Sequence, residues 1–124
     1  MANQNHPKIL IIDDEVNVQD SLKIILNYQG YQVTAVSDPD EGLSLLQDLS
    51  YNLVILDLKM PNHDGFDVLS RIRNEYPLIK VIIITGFGTL DIARKALSMG
   101  ASYYFDKPID LERFIARVKN AIES

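Results

Sequence analysis

The 124-residue sequence has no cysteine. Disulfides, thiol nucleophiles, iron–sulfur clusters and thiolate zinc sites are therefore excluded. It also lacks a membrane-length apolar run: no stretch approaches the roughly 18 residues needed to cross a bilayer as a helix. Met1-Ala2-Asn3-Gln4-Asn5-His6-Pro7 is polar and has no apolar h-region, so the N-terminus does not read as a secretory signal. Basic residues are few, 12 Lys and Arg against 17 Asp and Glu, for a formal charge of −5. A deficit of that sign argues against nucleic-acid binding by the chain itself, because phosphate contacts need clustered cations. Neither a Gly-x-x-x-x-Gly-Lys-Ser/Thr loop nor a Gly-x-Gly-x-x-Gly turn is present, which removes the nucleotide-binding classes they mark. The expectation is a cytoplasmic domain, with residues 1–7 a loose tail and residues 8–124 one folded unit.

At 47% hydrophobic and 23% charged, the composition is that of a chain able to bury a core rather than stay disordered. Short apolar runs alternate five times with amphipathic stretches. The runs are Ile9–Ile12, Tyr31–Val36, Leu53–Leu56, Val81–Ile84 and Ser102–Phe105. Four are continuously apolar or aromatic, as strands buried on both faces of a parallel sheet should be; the second alternates, as an edge strand does. Between them, Gly42-Leu45-Leu46-Leu49, Gly65-Val68-Leu69-Ile72 and Leu111-Phe114-Ile115-Val118 fall at helical spacing. Val18-Leu22-Ile25-Leu26 makes a similar stripe, and Ile92-Ala93-Ala96-Leu97 a weaker one. Asp38-Pro39-Asp40-Glu41 has the form of a capping box, Asp110 that of a cap with Ile109 stapling on Phe114, and Gly30 and Gly100 sit where helices should end. Five βα units predict an open α/β sheet with helices on both faces.

In such sheets ligands bind beyond the carboxyl ends of the strands. Asp13-Asp14-Glu15 follows the first run, Asp57 ends the third, Thr85-Gly86 ends the fourth, and Asp106-Lys107-Pro108 follows the fifth. The strand-end rule thus gathers carboxylates, a hydroxyl and an ammonium at one rim. Adjacent carboxylates repel by about 4 kcal/mol at 4 Å in an effective dielectric of 20. Carboxylate oxygens select hard ions, of which Mg²⁺ fits. A metal, an ammonium and a hydroxyl around a nucleophilic carboxylate suit phosphoryl transfer to an aspartate.

This arrangement resembles the receiver domain of two-component response regulators. The resemblance is carried by Ile11-Ile12-Asp13-Asp14-Glu15, by Leu53 through Gly65 around Asp57, by Ile83-Ile84-Thr85-Gly86 and by Gly100 through Pro108. It implies a flavodoxin-like, doubly wound five-stranded parallel sheet of order 2-1-3-4-5. It implies Asp57 as phosphoacceptor, with Asp13, Asp14, Asp57 and the Lys59 carbonyl holding Mg²⁺. Thr85 matches the switch hydroxyl, Lys107 the lysine that pairs with the acceptor and then with the phosphoryl oxygens, and Tyr104 the rotating aromatic. Lys107-Pro108 matches a cis peptide. Gly86 leaves room beside the phosphoryl group, whereas Lys59 has reach to that group or to Glu15. The turn Thr85-Gly86-Phe87-Gly88-Thr89 is similar to that of receivers attached to transcription activators of the nitrogen-regulation type.

Asp13-Asp14 is not the Asp-x-Asp of haloacid-dehalogenase-type phosphatases, and the nucleophile here belongs on the third strand. His6 and His63 read as solvated surface, not as phosphotransfer histidines. Two functional classes remain. One is a phosphorylation-controlled switch, a signalling phosphoacceptor rather than an enzyme. It is served by a sensor histidine kinase or phosphotransfer protein and acts through the face of the fourth helix, fifth strand and fifth helix, on which a homodimer or another partner docks. The other is a constitutive docking module of the same fold. Neither requires a membrane or direct nucleic-acid contact.

Overall fold

The computed structural model describes residues 6–86 and 88–124. The expectations for Met1–Asn5 in the tail and for Phe87 in the turn lie outside the described residues. In chain order the elements are β1 (Lys8–Ile12), α1 (Val16–Tyr28), β2 (Gln32–Val36), α2 (Pro39–Leu45) and β3 (Tyr51–Asp57). There follow α3 (Gly65–Glu75), β4 (Lys80–Thr85), α4 (Leu90–Ser98), β5 (Tyr103–Asp106) and α5 (Leu111–Glu123). The five strands are parallel, in the order β2-β1-β3-β4-β5. A small antiparallel ladder, Lys59–Met60 with His63–Asp64, lies in the connection from β3 to α3. No helix among the described residues is long and apolar enough to cross a membrane.

Successive side chains of a strand point to opposite faces, and here the two faces feed two cores. Leu10, Ile12, Val54, Leu56, Val81 and Ile83 join residues of α2, α3 and α4. Ile9, Ile11, Leu53, Ile55, Ile82 and Ile84 join Leu22 and Leu26 of α1 and Phe114, Val118 and Ala121 of α5. Continuous apolar runs are what a sheet covered on both sides demands. Phe105 meets Phe114 edge to face, with ring centroids 5.5 Å apart, fastening β5 to α5. The chain joins the sheet one residue before β1: the Gln32 amide donates to the Pro7 carbonyl at 2.9 Å.

The helix punctuation is as expected in position and differs in detail. Asp38 caps α2 by accepting from the Asp40 amide at 3.0 Å, not from Glu41. Asp110 caps α5 by accepting from the Arg113 amide, and Ile109 packs on the cluster that holds Phe114. Gly30 and Gly100 have φ of +99° and +103°, the left-handed geometry that glycine tolerates after a helix. Four expectations need correction. Leu49 is not on a helix stripe: the chain tightens to a 3₁₀ turn at Leu46–Asp48, and Leu49 is left-handed and 74% exposed, because β3 begins two residues later. The fifth run is not buried on both faces; β5 is an edge strand, and within it only Phe105 is buried. Leu97 and Leu111 lie at the margins of their stripes and face water. His63 is half-buried, with Nε2 3.6 Å from Asp38 Oδ1.

The start of α3 crosses so close to the β3–α3 connection that a Cβ at Gly65 would collide with the backbone of Leu58. Backbone cannot swing aside, so Gly65→Ala is expected to lower stability by about 2–3 kcal/mol. At Gly42 the added carbon meets Cδ1 and Cγ1 of the buried Ile12 side chain, at 2.6 and 2.9 Å; a side chain can shift where backbone cannot, and Gly42→Ala should cost about 1 kcal/mol, less than Gly65→Ala. Urea melts of the two variants compare them directly; equal losses would refute the steric argument.

Candidate functional site

The site forms where β1, β3 and β4 end. The Asp13 amide donates to the Val36 carbonyl at 3.1 Å, extending the pairing of β1 with β2 by one residue. The buried Gln19 side chain donates to the Asp13 carbonyl at 2.5 Å and to Ser37 Oγ at 2.9 Å. These bonds fix the backbone that carries Asp13. Its Oδ1 accepts from the Glu15 amide at 2.9 Å. Asp57, the last residue of β3, is 2% exposed, and its Oδ1 accepts from the Lys59 amide at 3.0 Å. Asp13, Asp14 and Asp57 each offer an oxygen within 4.8 Å of the others.

Lys107 reaches in from β5. Its amide donates to the Thr85 carbonyl at 2.8 Å, prolonging the pairing of β4 with β5. The peptide bond to Pro108 is cis, as the resemblance implied. The ammonium lies 2.6 Å from Glu15 Oε1, 2.9 Å from Asp13 Oδ2 and 3.3 Å from Asp57 Oδ2. It meets Asp13 as an ion pair rather than an aligned hydrogen bond, and Asp13 Oδ2 is the one buried side-chain oxygen or nitrogen among the described residues with no hydrogen-bond partner. A cleft of about 400 Å³, bordered by Asp14, Glu15, Asp57, Gly86 and Lys107, opens above this group.

The electrostatics follow from burial. Asp57 is pushed up to about 6, first by burial and then by the charge of Asp13, against the pull of the Lys59 amide and Lys107. Burial likewise raises Asp13, opposed by the Glu15 amide and by Lys107. Burial pulls the Lys107 ammonium down, but its bond to Glu15, its close contact with Asp13 and the fields of Asp13 and Asp57 outweigh it and hold it above the ordinary lysine range. A buried carboxylate pair with an unfilled oxygen is the donor set that a hard divalent ion completes. The residues present therefore fit Mg²⁺: Asp13, Asp14 and Asp57 are placed to offer oxygens to it when it binds, and the Lys59 amide is bonded to Asp57.

The structure thus brings Asp13, Asp14, Asp57 and Lys107 together. Thr85 sits at the end of β4, 2% exposed, beside a second cleft that includes Met60, Phe66 and Ile92. Tyr104 lies outside the carboxylate group, on the edge strand. Its hydroxyl donates to Asp106 Oδ1 at 3.0 Å, and burial followed by this carboxylate pushes it up to about 12. A Cβ added to Gly88 would collide with the Tyr104 hydroxyl, so glycine there gives the ring its place. Above Gly86 the space is open. Three participants escaped the sequence reading: Glu15 as partner of Lys107, Gln19 as the brace of Asp13, and Asp106 as acceptor for Tyr104. A carboxylate two residues from Tyr104 was the one local signal; no spacing links residue 15 to residue 107.

A family model, the response regulator receiver domain, matches residues 9–119. The transcriptional regulatory protein FixJ of Bradyrhizobium diazoefficiens is 33% identical over 98% of this chain, which spans 58% of that protein. The sporulation initiation phosphotransferase F of Bacillus subtilis is 34% identical, with 90% of each chain covered. Among solved structures, the CheY-like receiver domain protein of Methanospirillum hungatei superposes with a TM-score of 0.90 at 30% identity, over 96% of this chain and 95% of the other. The beryllofluoride-activated NtrC4 receiver domain dimer does so with a TM-score of 0.89 at 34% identity, over 94% and 96%. Matched from its first buried strand into its last helix, the chain belongs to the receiver domains of two-component response regulators.

Proposed function

We propose that the domain is a phosphorylation-controlled switch that takes a phosphoryl group onto Asp57 from a sensor histidine kinase or phosphotransfer protein, in a Mg²⁺-dependent reaction. The observation that carries the reading is Lys107, whose ammonium is held among Glu15, Asp13 and Asp57 at the mouth of an anionic cleft. Asp57 supplies the nucleophile and Lys107 a cation for the incoming oxygens. Mg²⁺, when bound, offsets charge on the same oxygens. The domain assists gain and loss of its own phosphoryl group and is not an enzyme with a separate substrate. Incubation with a small phosphodonor and Mg²⁺, followed by intact mass, tests the reading. Mass gain of one phosphoryl group supports it; its absence favours constitutive docking by the unmodified fold. The reading puts the chain in the cytoplasm, and transcription is an output it would serve; the longer relative FixJ is a transcriptional regulatory protein.

The output face on this reading is α4–β5–α5. Of α4 only Ala96 is buried, so the helix is lightly held, and its outer surface sets the exposed Leu90 and Leu97 among Asp91, Arg94 and Lys95. The Thr85 hydroxyl turns to donate to a phosphoryl oxygen, the Gly86 turn follows, and Tyr104 moves into the space that Thr85 leaves. A homodimer or partner then reads the altered surface. Beryllofluoride is expected to shift amide resonances from residue 85 through residue 107 in the parent, and far less beyond the turn in Thr85→Ala. Shifts confined to the neighbourhood of Asp13, Asp14 and Asp57 in both proteins would rule this lever out.

A further inference from the structure

We propose that Glu15 is a positioning residue that occupies the Lys107 ammonium until a phosphoryl group arrives, and thereby sets the rate at which Asp57 is filled. The inference rests on the phosphoacceptor reading above. An ammonium has three N–H donors, and three carboxylates crowd this one. The nearest is not a buried aspartate but Glu15, at 2.6 Å against 2.9 Å for Asp13 and 3.3 Å for Asp57. Its side chain is 58% exposed, so it is the partner free to swing into water.

The start of α1 gives an independent reason to read this contact as more than surface pairing. Glu15 occupies the N-cap position, where a side-chain oxygen normally accepts from an amide of the first turn. The caps of α2, α3, α4 and α5, Asp38, Asp64, Thr89 and Asp110, all do so. Glu15 makes no such bond, and the first turn of α1 has no acidic residue in its place. The carboxylate that sits where a cap belongs is turned away from the helix and onto Lys107.

Take a small acyl phosphate as donor. A carboxylate oxygen of Asp57 forms a bond to phosphorus as the bond from phosphorus to the acyl oxygen breaks. The donor leaves as a carboxylate with that electron pair, no proton moves, and total charge is conserved. The non-bridging phosphoryl oxygens need the Lys107 donors in this step. Glu15 competes for them, and its release frees one.

The test compares the parent with Glu15→Gln and Glu15→Asp, using acetyl phosphate and Mg²⁺ and reading phosphoryl uptake by intact mass over time. Glu15→Gln removes the charge and should speed uptake by about threefold, the size expected for a partly exposed ion pair. Glu15→Asp keeps the charge but is one methylene too short for the contact, and should match Glu15→Gln. In chelator, with no donor present, the Lys107 Nζ resonance should move in both variants. Parent-like uptake in Glu15→Gln, or an unmoved Lys107 resonance, overturns the proposal. So does a parent-like Glu15→Asp beside a fast Glu15→Gln, which would mark Glu15 as a charge that merely repels the donor. A parent that takes up no phosphoryl group while the resonance moves overturns the phosphoacceptor reading, and the rate-setting role with it.

Discussion

Asp57→Asn is expected to abolish phosphoryl uptake. The substitution keeps the shape of the side chain and its bond to the Lys59 amide, made through Oδ1 at 3.0 Å. What it removes is the anionic oxygen that attacks phosphorus, and an amide is a far poorer nucleophile. Losing a group that forms the new bond costs orders of magnitude in rate rather than a few-fold, because no neighbouring interaction replaces it. Asp13 and Asp14 remain, so modification migrating to either would also be visible. Intact mass and peptide mapping after incubation with the small phosphodonor provide the measurement. Undiminished modification in Asp57→Asn, or a parent phosphoryl group mapped to another residue, would remove Asp57 from its assigned role.

The same substitution should make the domain more stable when divalent ions are chelated. Asp57 is held up at about 6 in the folded chain, against about 4 in an unfolded one. The folded state therefore binds the proton more tightly. The stability this confers is complete below about pH 4 and is lost as pH rises through about 6, amounting to on the order of 2 kcal/mol. Asp13, also raised by burial, acts in the same direction. Asp57→Asn removes the larger contribution, while Lys107 keeps Asp13 and Glu15 as partners. At pH 7 in chelator the variant should unfold on the order of 2 kcal/mol later than the parent, with the gap closing towards pH 4. Mg²⁺ at ten times its dissociation constant should stabilise the parent by about 1.4 kcal/mol, a rise in Tm of roughly 4–7 °C. It should stabilise the variant less. Melting curves at pH 4, 5.5 and 7, with and without Mg²⁺, decide the matter. A parent indifferent to the ion, or a variant melting below it at pH 7, would show that the carboxylates do not strain the fold.

The central residues of the site were legible because chemistry at strand ends obeys a topological rule. Asp13 and Asp14 follow Ile12, Asp57 ends β3 and Lys107 follows β5; parallel strands leave those positions no other rim. The alternation of runs and stripes also gave the βα architecture, while the strand order came from the resemblance. Details set by closure of the chain were less visible. Leu49 has the right spacing for a helix face, but two residues are too few to leave a helix and enter β3, so the last turn tightens first. The run Tyr103-Tyr104-Phe105 is as apolar as a buried strand, yet two tyrosines sit half-exposed on an edge because nothing pairs beyond them. Glu15 is 92 residues from Lys107 in sequence, and its direction depends on how α1 begins, which no spacing pattern encodes.

Alternate side chains of β1, β3 and β4 feed two separate cores, so the sheet works as a bulkhead. Volume lost behind one face has no route by which side chains of the other could fill it. Losses at Ile72 and at Val118 therefore add in free energy, whereas losses at two touching residues of one compartment share a cavity and do not. The proposed output face straddles this wall: α4 packs on one side of it and α5 on the other, so a partner that grips both helices pulls on two compartments at once.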